Sequence, residues 1–377
     1  MSSLYLHIPF CENKCHYCGF NSYADCEAIW ERYFNALQRE LISECKKYGQ
    51  NFTPLKTVFF GGGTPTLVEA KYLTEVIATL RDCVELESDC EISVESNPES
   101  VSLEKLEQLW DSGINRLSFG VQSFKDDDLR TLGRIHSADK AAEVMALAKQ
   151  AGFTNINLDL MSGLRGQSRD DWSYILSRAI SCEPSHLSIY QLTPEENTPL
   201  YNQIEKGLIE LPDGEHSLEL DRITQATCAE YGYQQYEISN FAIPGFECRH
   251  NINYWENNSY LAVGAGAVSY INGCRAKRVG SPAEYCKNVE CESSVISEKE
   301  CLTKEESFRE TVVVGLRMVR GVDLKRVENR FEIDICAYYG SILDSFREAG
   351  FVEISDGFLF ITDKGRPVTN RILTDLV

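Results

Sequence analysis

The strongest constraint on the fold of this 377-residue chain is an alternation of short apolar runs with longer amphipathic stretches in its first half. The apolar runs, typical of buried strands, cover residues 4–8, 57–60, 91–95, 116–120, 155–160 and 186–190. Apolar side chains at helical spacing occupy residues 28–47, 69–81, 103–111, 138–152 and 169–180. Because crossovers between parallel strands are right-handed, such βα units form a curved parallel sheet. The sequence therefore predicts an α/β fold, a partial (β/α)6 barrel of the TIM type.

Three cysteines follow the first predicted strand: Cys11, Cys15 and Cys18, in the spacing Cys-x3-Cys-x2-Cys. In barrels of this kind the chemistry lies beyond the C-terminal ends of the strands, which places this loop at that rim. Three thiolates bind three irons of a four-iron cluster and leave the fourth open to an exogenous ligand. The alternatives are a zinc ion with His7 or His16 as fourth ligand, and buried inert thiols. Structural zinc sites usually unite two separated ligand pairs, so the spacing favours the cluster.

Polar residues follow the next four predicted strands. The turn of residues 61–65 (GGGTP) follows the second, and its glycines let a ligand approach the main chain closely. Glu95 ends the third strand, the fourth leads to Gln122 with Arg134 further on, and Asp159 lies near the end of the fifth. Any one of them is more often a helix cap or a surface residue. Together, on the rim that also carries the cysteines, they predict a ligand site.

Composition restricts the environment and the partners. With 37 basic and 57 acidic residues the net charge is −20, which repels a phosphate backbone and argues against nucleic acid as the partner. No basic and apolar leader precedes Cys11, and no apolar run is long enough for a transmembrane segment. The 15 cysteines are scattered and odd in number, which favours a reducing cytoplasm over a disulfide framework.

The C-terminal part has a different pattern. Helical spacing covers residues 304–318, 323–331 and 335–349, and the Asp356-Gly357 pair within residues 351–361 is a strong hairpin signal. Three helices and a hairpin indicate a winged-helix-like α+β domain. Residues 301–377 hold 11 basic and 13 acidic residues, which favours contact with protein or substrate over DNA binding.

These patterns divide the chain into three parts. We expect a barrel domain over residues 1–280, a linker over 281–300 and the small domain over 301–377. The acidic stretch of residues 282–300 is interpreted as a linker or a solvated loop. Residues 263–267 (VGAGA) are interpreted as a tight turn returning chain to the barrel rather than as a phosphate-binding loop.

Several of these segments carry a family resemblance. They are residues 5–11 (YLHIPFC), the three-cysteine loop, residues 61–66 (GGGTPT), 95–98 (ESNP), 120–124 (GVQSF), Arg134 and residues 158–160 (LDL). On these residues the chain resembles the radical S-adenosylmethionine (SAM) superfamily. Within it, the chain is similar to the branch of oxygen-independent coproporphyrinogen III dehydrogenases and HemW-type haem chaperones. The match runs in order over nearly the whole chain.

The resemblance implies a set of cofactor contacts. The three cysteines would hold a [4Fe–4S] cluster whose open iron is chelated by the amino and carboxylate groups of SAM. The residues implied at the SAM site are Tyr5 and Tyr17 as flanking aromatic rings, Gly62, Gly63 and Thr64 at the amino group, and Glu95, Gln122, Arg134 and Asp159 at the ribose and carboxylate.

Three features favour the chaperone type within this branch. The dehydrogenases have a fourth cysteine where this chain has Phe20, and they have a longer segment than the ten residues that here precede Cys11. Residues 250–255 (HNINYW) match the His-Asn-x-x-Tyr-Trp motif of the chaperones. The residues that this motif implies in haem binding are His250, Asn251, Tyr254 and Trp255. An imidazole can bind haem iron, and aromatic rings offer flat apolar faces.

Some of this remains open on the sequence alone. Without the resemblance, His250 reads as a hydrogen-bonded loop histidine. Cys248 is either an alternative haem ligand or a small buried hydrophobic residue. The favoured hypothesis is a carrier that transfers haem to an acceptor protein, with the cluster and SAM site supporting or regulating the transfer. The alternatives are a radical SAM enzyme that decarboxylates coproporphyrinogen III, or one with an unrelated substrate. The chain could act as a monomer or a homodimer.

Overall fold

The computed structural model describes residues 1–49 and 52–377, and its main feature is a curved sheet at the centre of the larger domain. In this part of the chain the sheet has nine strands: β1 (Ser3–Ile8), β2 (Leu55–Gly62), β3 (Leu86–Ser96), β4 (Arg116–Gln122), β5 (Asn155–Ser162), β6 (His186–Gln191), β7 (Gln234–Gln235), β8 (Asn240–Ala242) and β9 (Leu261–Val263). Their order is β7-β8-β6-β5-β4-β3-β2-β1-β9. Strands β1 to β6 are parallel, β9 pairs parallel with β1, and β7 and β8 are antiparallel. Each predicted strand lies within an observed one, and the partial barrel is confirmed.

Helices cover the outer face of the sheet. They are α1 (Trp30–Tyr48), α2 (Ala70–Cys83), α3 (Leu103–Asp111), α4 (Asp126–Leu132), α5 (Ala138–Gln150), α6 (Arg169–Ser181), α7 (Pro199–Glu205) and α8 (Gly214–Glu230). Helix α1 buries Tyr33, Leu37 and Leu41, four residues apart, as an amphipathic helix does. Apart from α4 and α7, these helices share one hydrophobic core with the outward-facing side chains of the strands. Leu132 of α4 and Leu200 of α7 lie in a smaller apolar cluster with Met161 and Leu164.

The inner face of the barrel is polar. Because side chains alternate along a strand, the residues between the outward apolar ones point inward. The inward-facing residues that hydrogen-bond to one another include Ser3, Thr57, Ser118, Asn157, Asp159, His186 and Ser188. This polar interior connects the rim that carries the cysteines with the other end of the sheet.

The segment predicted as a linker is part of the barrel domain instead. It forms helix α10 (Pro282–Glu290) and strand β12 (Ile296–Cys301), which joins β10 (Val268–Ile271) and β11 (Cys274–Arg278) in a three-stranded sheet. The prediction was wrong because the acidic side chains occupy only the exposed face. On the other face, Tyr285 and Cys286 are fully buried in the barrel core.

A tight turn precedes this three-stranded sheet, and a disulfide lies within it. Residues 263–267 form the predicted tight turn, with Gly264 and Gly266 at positive φ angles of 103° and 82°. A disulfide joins Cys274 to Cys301, which face each other in the β11–β12 pair, and the other 13 cysteines are free thiols.

The C-terminal domain has its own core. Its elements are α11 (Lys304–Gly315), β13 (Val322–Asp323), α12 (Leu324–Phe331), α13 (Ile335–Tyr339), α14 (Ser341–Glu348), β14 (Val352–Ser355), β15 (Phe358–Ile361) and α15 (Thr369–Asp375). The hairpin turns at Asp356 and Gly357, both with positive φ, as a two-residue type I′ turn requires. The predicted helix over residues 335–349 is divided at Gly340, whose φ of 47° no helix can contain. None of the helices in the described residues is apolar and long enough to cross a bilayer.

Candidate cofactor site

The cysteine loop lies at the C-terminal rim of the sheet, between β1 and α1. The main chain fixes it at two places: the Cys11 amide donates to the Tyr23 carbonyl at 3.0 Å, and the His16 amide donates to the Leu132 carbonyl at 3.0 Å. All three thiols are only partly buried. The loop is therefore tied to its own return segment and to the end of α4, while its sulfur atoms remain partly accessible.

A cavity of about 360 Å³ opens beside this loop. Its wall includes eleven of the residues predicted at the site: Cys11, Cys15, Tyr17, Cys18, Gly62, Gly63, Thr64, Glu95, Gln122, Arg134 and Asp159. Tyr5 is not in the wall. It lies deeper in the barrel, where its hydroxyl is 3.0 Å from His7 Nδ1 and its ring stacks on Phe59 at 6.2 Å.

The glycine turn packs directly against the cysteine loop. A Cβ atom on Gly63 would lie 2.5 Å from the Phe10 carbonyl oxygen and 2.9 Å from Cys11 Sγ. Gly62 has a φ of 122°, which favours glycine, and a Cβ there would meet the His7 ring at 2.7 Å. The absence of side chains at these positions lets the turn approach the cysteine loop and leaves main-chain groups facing the cavity.

Arg134 places a positive charge in the cavity wall. Its guanidinium donates to Asn97 Oδ1 at 2.8 Å and to the Gly120 carbonyl, and lies 3.4 Å from Cys15 Sγ. Burial opposes the charge, but Tyr17 and Cys15 outweigh it and raise the pKa of Arg134 above its ordinary value. Its Nε is buried without a hydrogen-bond partner, so a donor is left for a carboxylate ligand.

Two carboxyl groups also line the cavity. Glu95 accepts a hydrogen bond from the Gly62 amide at 3.0 Å, and burial followed by repulsion from Asp159 raises the pKa of Glu95 to about 7. Burial also raises the pKa of Asp159, which accepts from Asn157 Nδ2 at 2.7 Å. Each keeps an oxygen lone pair free, so both can accept hydrogen bonds from sugar hydroxyls.

Gln122 adopts a strained backbone, with a φ of 69°, where the β4–β5 register shifts. The Tyr190 hydroxyl donates to its side-chain oxygen at 2.6 Å. Such strain concentrates at binding sites. The sequence reasoning missed Tyr190 and Asn97 as wall residues. Tyr190 ends the sixth strand, and Asn97 belongs to the ESNP segment after the third, so both positions carried the strand-end signal.

The donor set fits a four-iron cluster better than zinc. The two histidines considered as fourth zinc ligands have other partners. His7 contacts Tyr5 and, at 2.9 Å, the Asn21 carbonyl, and His16 Nδ1 is 3.1 Å from the Thr131 carbonyl. Among the described residues, no three His, Cys, Asp or Glu side chains converge as around a single metal ion. Thiolates on separate irons of a cluster need no such convergence.

The comparisons with known proteins agree with this geometry. The Radical SAM superfamily matches residues 5–179, and the HemN C-terminal domain matches residues 302–368. The protein named heme chaperone HemW from Bacillus subtilis is 38% identical over 373 residues, covering 99% of this chain and 98% of that protein. The chain belongs to the HemW family of radical SAM proteins.

Further relatives extend this result. A heme chaperone HemW from Lactococcus lactis is 32% identical over 98% of this chain and 96% of its own length. Among solved structures, coproporphyrinogen III oxidase (HemN) from Escherichia coli, described as a radical SAM enzyme, matches with a TM-score of 0.85 and 25% identity. That match covers 99% of this chain and 89% of the enzyme. Membership of the radical SAM family implies a [4Fe–4S] cluster and SAM, for which the rim cavity has suitable residues.

In this HemW-family structure the HNINYW motif lies at the opposite end of the barrel. It forms helix α9 (Arg249–Trp255), not a loop. His250 Nδ1 is 2.8 Å from Thr57 Oγ1, near the start of β2, whereas Gly62 at its end faces the cavity. Five residues of strand span about 17 Å. His250 and the glycine turn are therefore separated along β2, and the Tyr5 ring, whose centroid is 6.5 Å from that of His250, lies between them.

His250 is closed to a ligand in this conformation. The side chain is fully buried, and its Nε2 is 2.9 Å from the Tyr254 hydroxyl, so both ring nitrogens are engaged. Burial lowers the pKa of His250 to about 3, so the ring is neutral. Axial ligation of haem by His250 requires that α9 move out of the barrel.

The other residues of the motif point in different directions. Trp255 faces the C-terminal domain, with the guanidinium carbon of Arg317 5.3 Å from its ring centre, and Asn251 is half-buried. Cys248, before the helix, is fully buried, and burial raises its pKa to about 12. It is thus a protonated thiol in the interior, as a small hydrophobic residue would be.

Proposed function

We propose that this HemW-family protein is a haem chaperone, which binds haem and transfers it to an acceptor protein. The observation that carries the proposal is the similarity, over the full length of the chain, to proteins named heme chaperone HemW. Phe20 supports it, because an exposed aromatic ring stands at the edge of the cavity where the related dehydrogenases have a fourth cysteine.

In this proposal the rim cavity binds the cluster and SAM. Cys11, Cys15 and Cys18 are the cluster ligands, and Arg134 pairs its free Nε with the carboxylate of SAM. Glu95 and Asp159 accept hydrogen bonds from the ribose hydroxyls. A cluster held by these three cysteines would supply reducing chemistry to the bound SAM. The walls of the cavity orient the nucleotide and exclude water from it.

Haem binding is assigned to the region of α9. The motif supplies an imidazole and two aromatic rings, but His250 and Tyr254 hydrogen-bond to each other inside the barrel. The proposal therefore requires an open state in which α9 has separated from the inner face of β2. Trp255 already lies at the surface between α9 and the C-terminal domain, where opening would expose its ring.

A haem titration of anaerobically reconstituted protein tests this function. We expect saturable binding of one haem per chain, read from the Soret band. Transfer is then measured with apo-haemoproteins from the same organism. A transfer rate that rises with acceptor concentration beyond the rate of spontaneous haem release indicates direct transfer. Absence of saturable haem binding would contradict the proposal.

A second function, oxidative decarboxylation of coproporphyrinogen III, is favoured by the structural similarity to HemN. The same reconstituted protein separates the two when it is supplied with SAM, a reductant and coproporphyrinogen III. We expect no protoporphyrinogen above the level of a Cys15→Ser control. Its formation at a rate that requires Cys15 would replace the chaperone proposal.

A further inference from the structure

A chain of hydrogen bonds leads from the cofactor cavity to helix α9. Asp159 Oδ1 accepts from Asn157 Nδ2 at 2.7 Å, and Asn157 Oδ1 is 2.6 Å from His186 Nδ1. His186 Nε2 is 2.9 Å from the Tyr236 hydroxyl, which accepts from the Cys248 amide at 3.3 Å. The chain therefore runs without a gap through the polar interior of the barrel.

Each group in this chain has one role available. The Asp159 carboxylate can only accept, so Asn157 must turn its NH2 toward Asp159 and its carbonyl toward His186. Burial holds the pKa of His186 well below its ordinary value, so the ring is neutral with one N–H. That N–H donates to Asn157, and Nε2 accepts the proton of Tyr236. All the bonds consequently point from α9 toward the cavity.

The chain ends at the N-terminus of α9. Cys248 is the residue before the helix, and Glu91 accepts hydrogen bonds from the Arg249 amide at 3.0 Å and the His250 amide at 3.2 Å. Glu91 thereby satisfies two amides that a helix start otherwise leaves unpaired. The chain from Asp159 thus holds the residue directly before α9, and Glu91 holds the next two amides, so both act on the start of the helix that keeps His250 closed.

We propose that Asn157, His186 and Tyr236 are positioning residues that couple the SAM cavity to α9, so that SAM binding weakens haem binding. The proposal rests on the function proposed above. Haem can reach His250 only after α9 leaves the barrel, and every bond that holds α9 closed opposes haem. SAM that hydrogen-bonds to Asp159 fixes the first member of the chain and so favours the closed arrangement. By linkage, haem weakens SAM binding by the same factor.

The haem affinity measured with and without saturating SAM tests this coupling. In the parent protein we expect SAM to lower it about fivefold or more, within the usual range of coupling between sites. Tyr236→Phe removes only the hydroxyl that links the chain, and should give equal affinities with and without SAM. The matched control is Tyr233→Phe, whose hydroxyl donates to the Pro184 carbonyl at 2.6 Å outside the chain. In this control, SAM should lower the haem affinity by the same factor as in the parent protein.

A second variant and a readout that needs no haem complete the test. His186→Leu breaks the chain one link earlier and should also abolish the SAM effect. Hydrogen exchange of the amides of residues 249–255 should slow on SAM addition in the parent and in Tyr233→Phe. It should not slow in Tyr236→Phe or His186→Leu. The coupling is overturned, and the chaperone function left intact, by either of two results. One is that SAM does not change the haem affinity of the parent protein. The other is that SAM lowers the haem affinity of Tyr236→Phe by the same factor as in the parent. Protein that shows the exchange response but binds no haem would refute the chaperone function instead.

Discussion

Replacing Glu40 with Gln should strongly destabilise the barrel domain, because Glu40 connects four segments through a buried carboxylate. Its oxygens accept from Arg278 Nε at 2.8 Å, the Tyr285 hydroxyl at 2.6 Å and the Gly264 amide at 2.9 Å. The Arg278 and Glu40 side chains are only 1% and 4% exposed. The two charges therefore interact almost without solvent screening.

The size of the effect follows from what the substitution leaves behind. Glutamine has nearly the same volume, so no cavity forms, but the Arg278 guanidinium loses its closest counter-charge and retains only Glu44, at 3.6 Å. The amide NH2 of glutamine also faces either the Arg278 Nε donor or both the Gly264 amide and the Tyr285 hydroxyl. Breaking a buried pair by removing one partner costs about 3–5 kcal/mol, since an uncompensated charge stays buried. We expect Glu40→Gln to lower the free energy of unfolding by about that amount.

Urea unfolding of the apoprotein, followed by circular dichroism, measures this difference as a shift of the midpoint at constant slope. The matched control is Glu290→Gln, which removes one partner of the exposed Arg32–Glu290 pair, at 2.7 Å, and should shift the midpoint little. Replacing Glu40 and Arg278 together with Met and Leu should recover most of the loss. If Glu40→Gln unfolds at the same urea concentration as the control, the reasoning about the buried pair is wrong.

Three other predictions concern the two ends of the barrel. Gly63→Ala should lower iron and sulfide content after anaerobic reconstitution by about tenfold or more, because the added Cβ displaces the Cys11 loop. The control is Gly214→Ala, where the added Cβ has no other atom within 4 Å. The pKa of Glu95 is raised from 4.5 to about 7 in the folded protein. Because the Glu95 carboxyl ionises at lower pH in the unfolded chain, the free energy of unfolding of the apoprotein should fall as pH rises from 4.5 to 7. This loss of unfolding free energy should be about 3 kcal/mol, and urea unfolding at a series of pH values measures it. It should be absent in Glu95→Gln. His250→Ala should shift the Soret band and weaken haem binding about tenfold, whereas Cys248→Ala should leave both unchanged in a haem titration.

Much of the barrel was predictable because its strands and helices differ in the period of their apolar residues. The βα alternation gave the six parallel strands, and residues placed near or after strand ends, such as Asp159 and Gly63, do line one cavity. The error at residues 281–300 has a simple cause. Its acidic residues dominate the composition, while the three buried residues, Pro282, Tyr285 and Cys286, are too few to stand out.

The placement of α9 could not be predicted from the sequence. The motif HNINYW names the residues, but its position depends on contacts with strands 193 and 159 residues earlier in the chain, through Thr57 and Glu91. Those partners read locally as ordinary strand residues. Tyr5 likewise belongs to the family pattern near the cofactor, yet its inward direction puts it below the cavity, beside His7 and Phe59.

The sequence by itself determined the fold class, the three-cysteine loop and the rim residues, because these depend on local periodicity and on the rule that parallel strands end at one edge. The tertiary structure alone decided that His250 is closed, that the acidic segment belongs to the barrel and that Asp159 connects to α9. Burial and hydrogen-bond partners are properties of segments far apart in the chain, and they exist only once those segments have packed together.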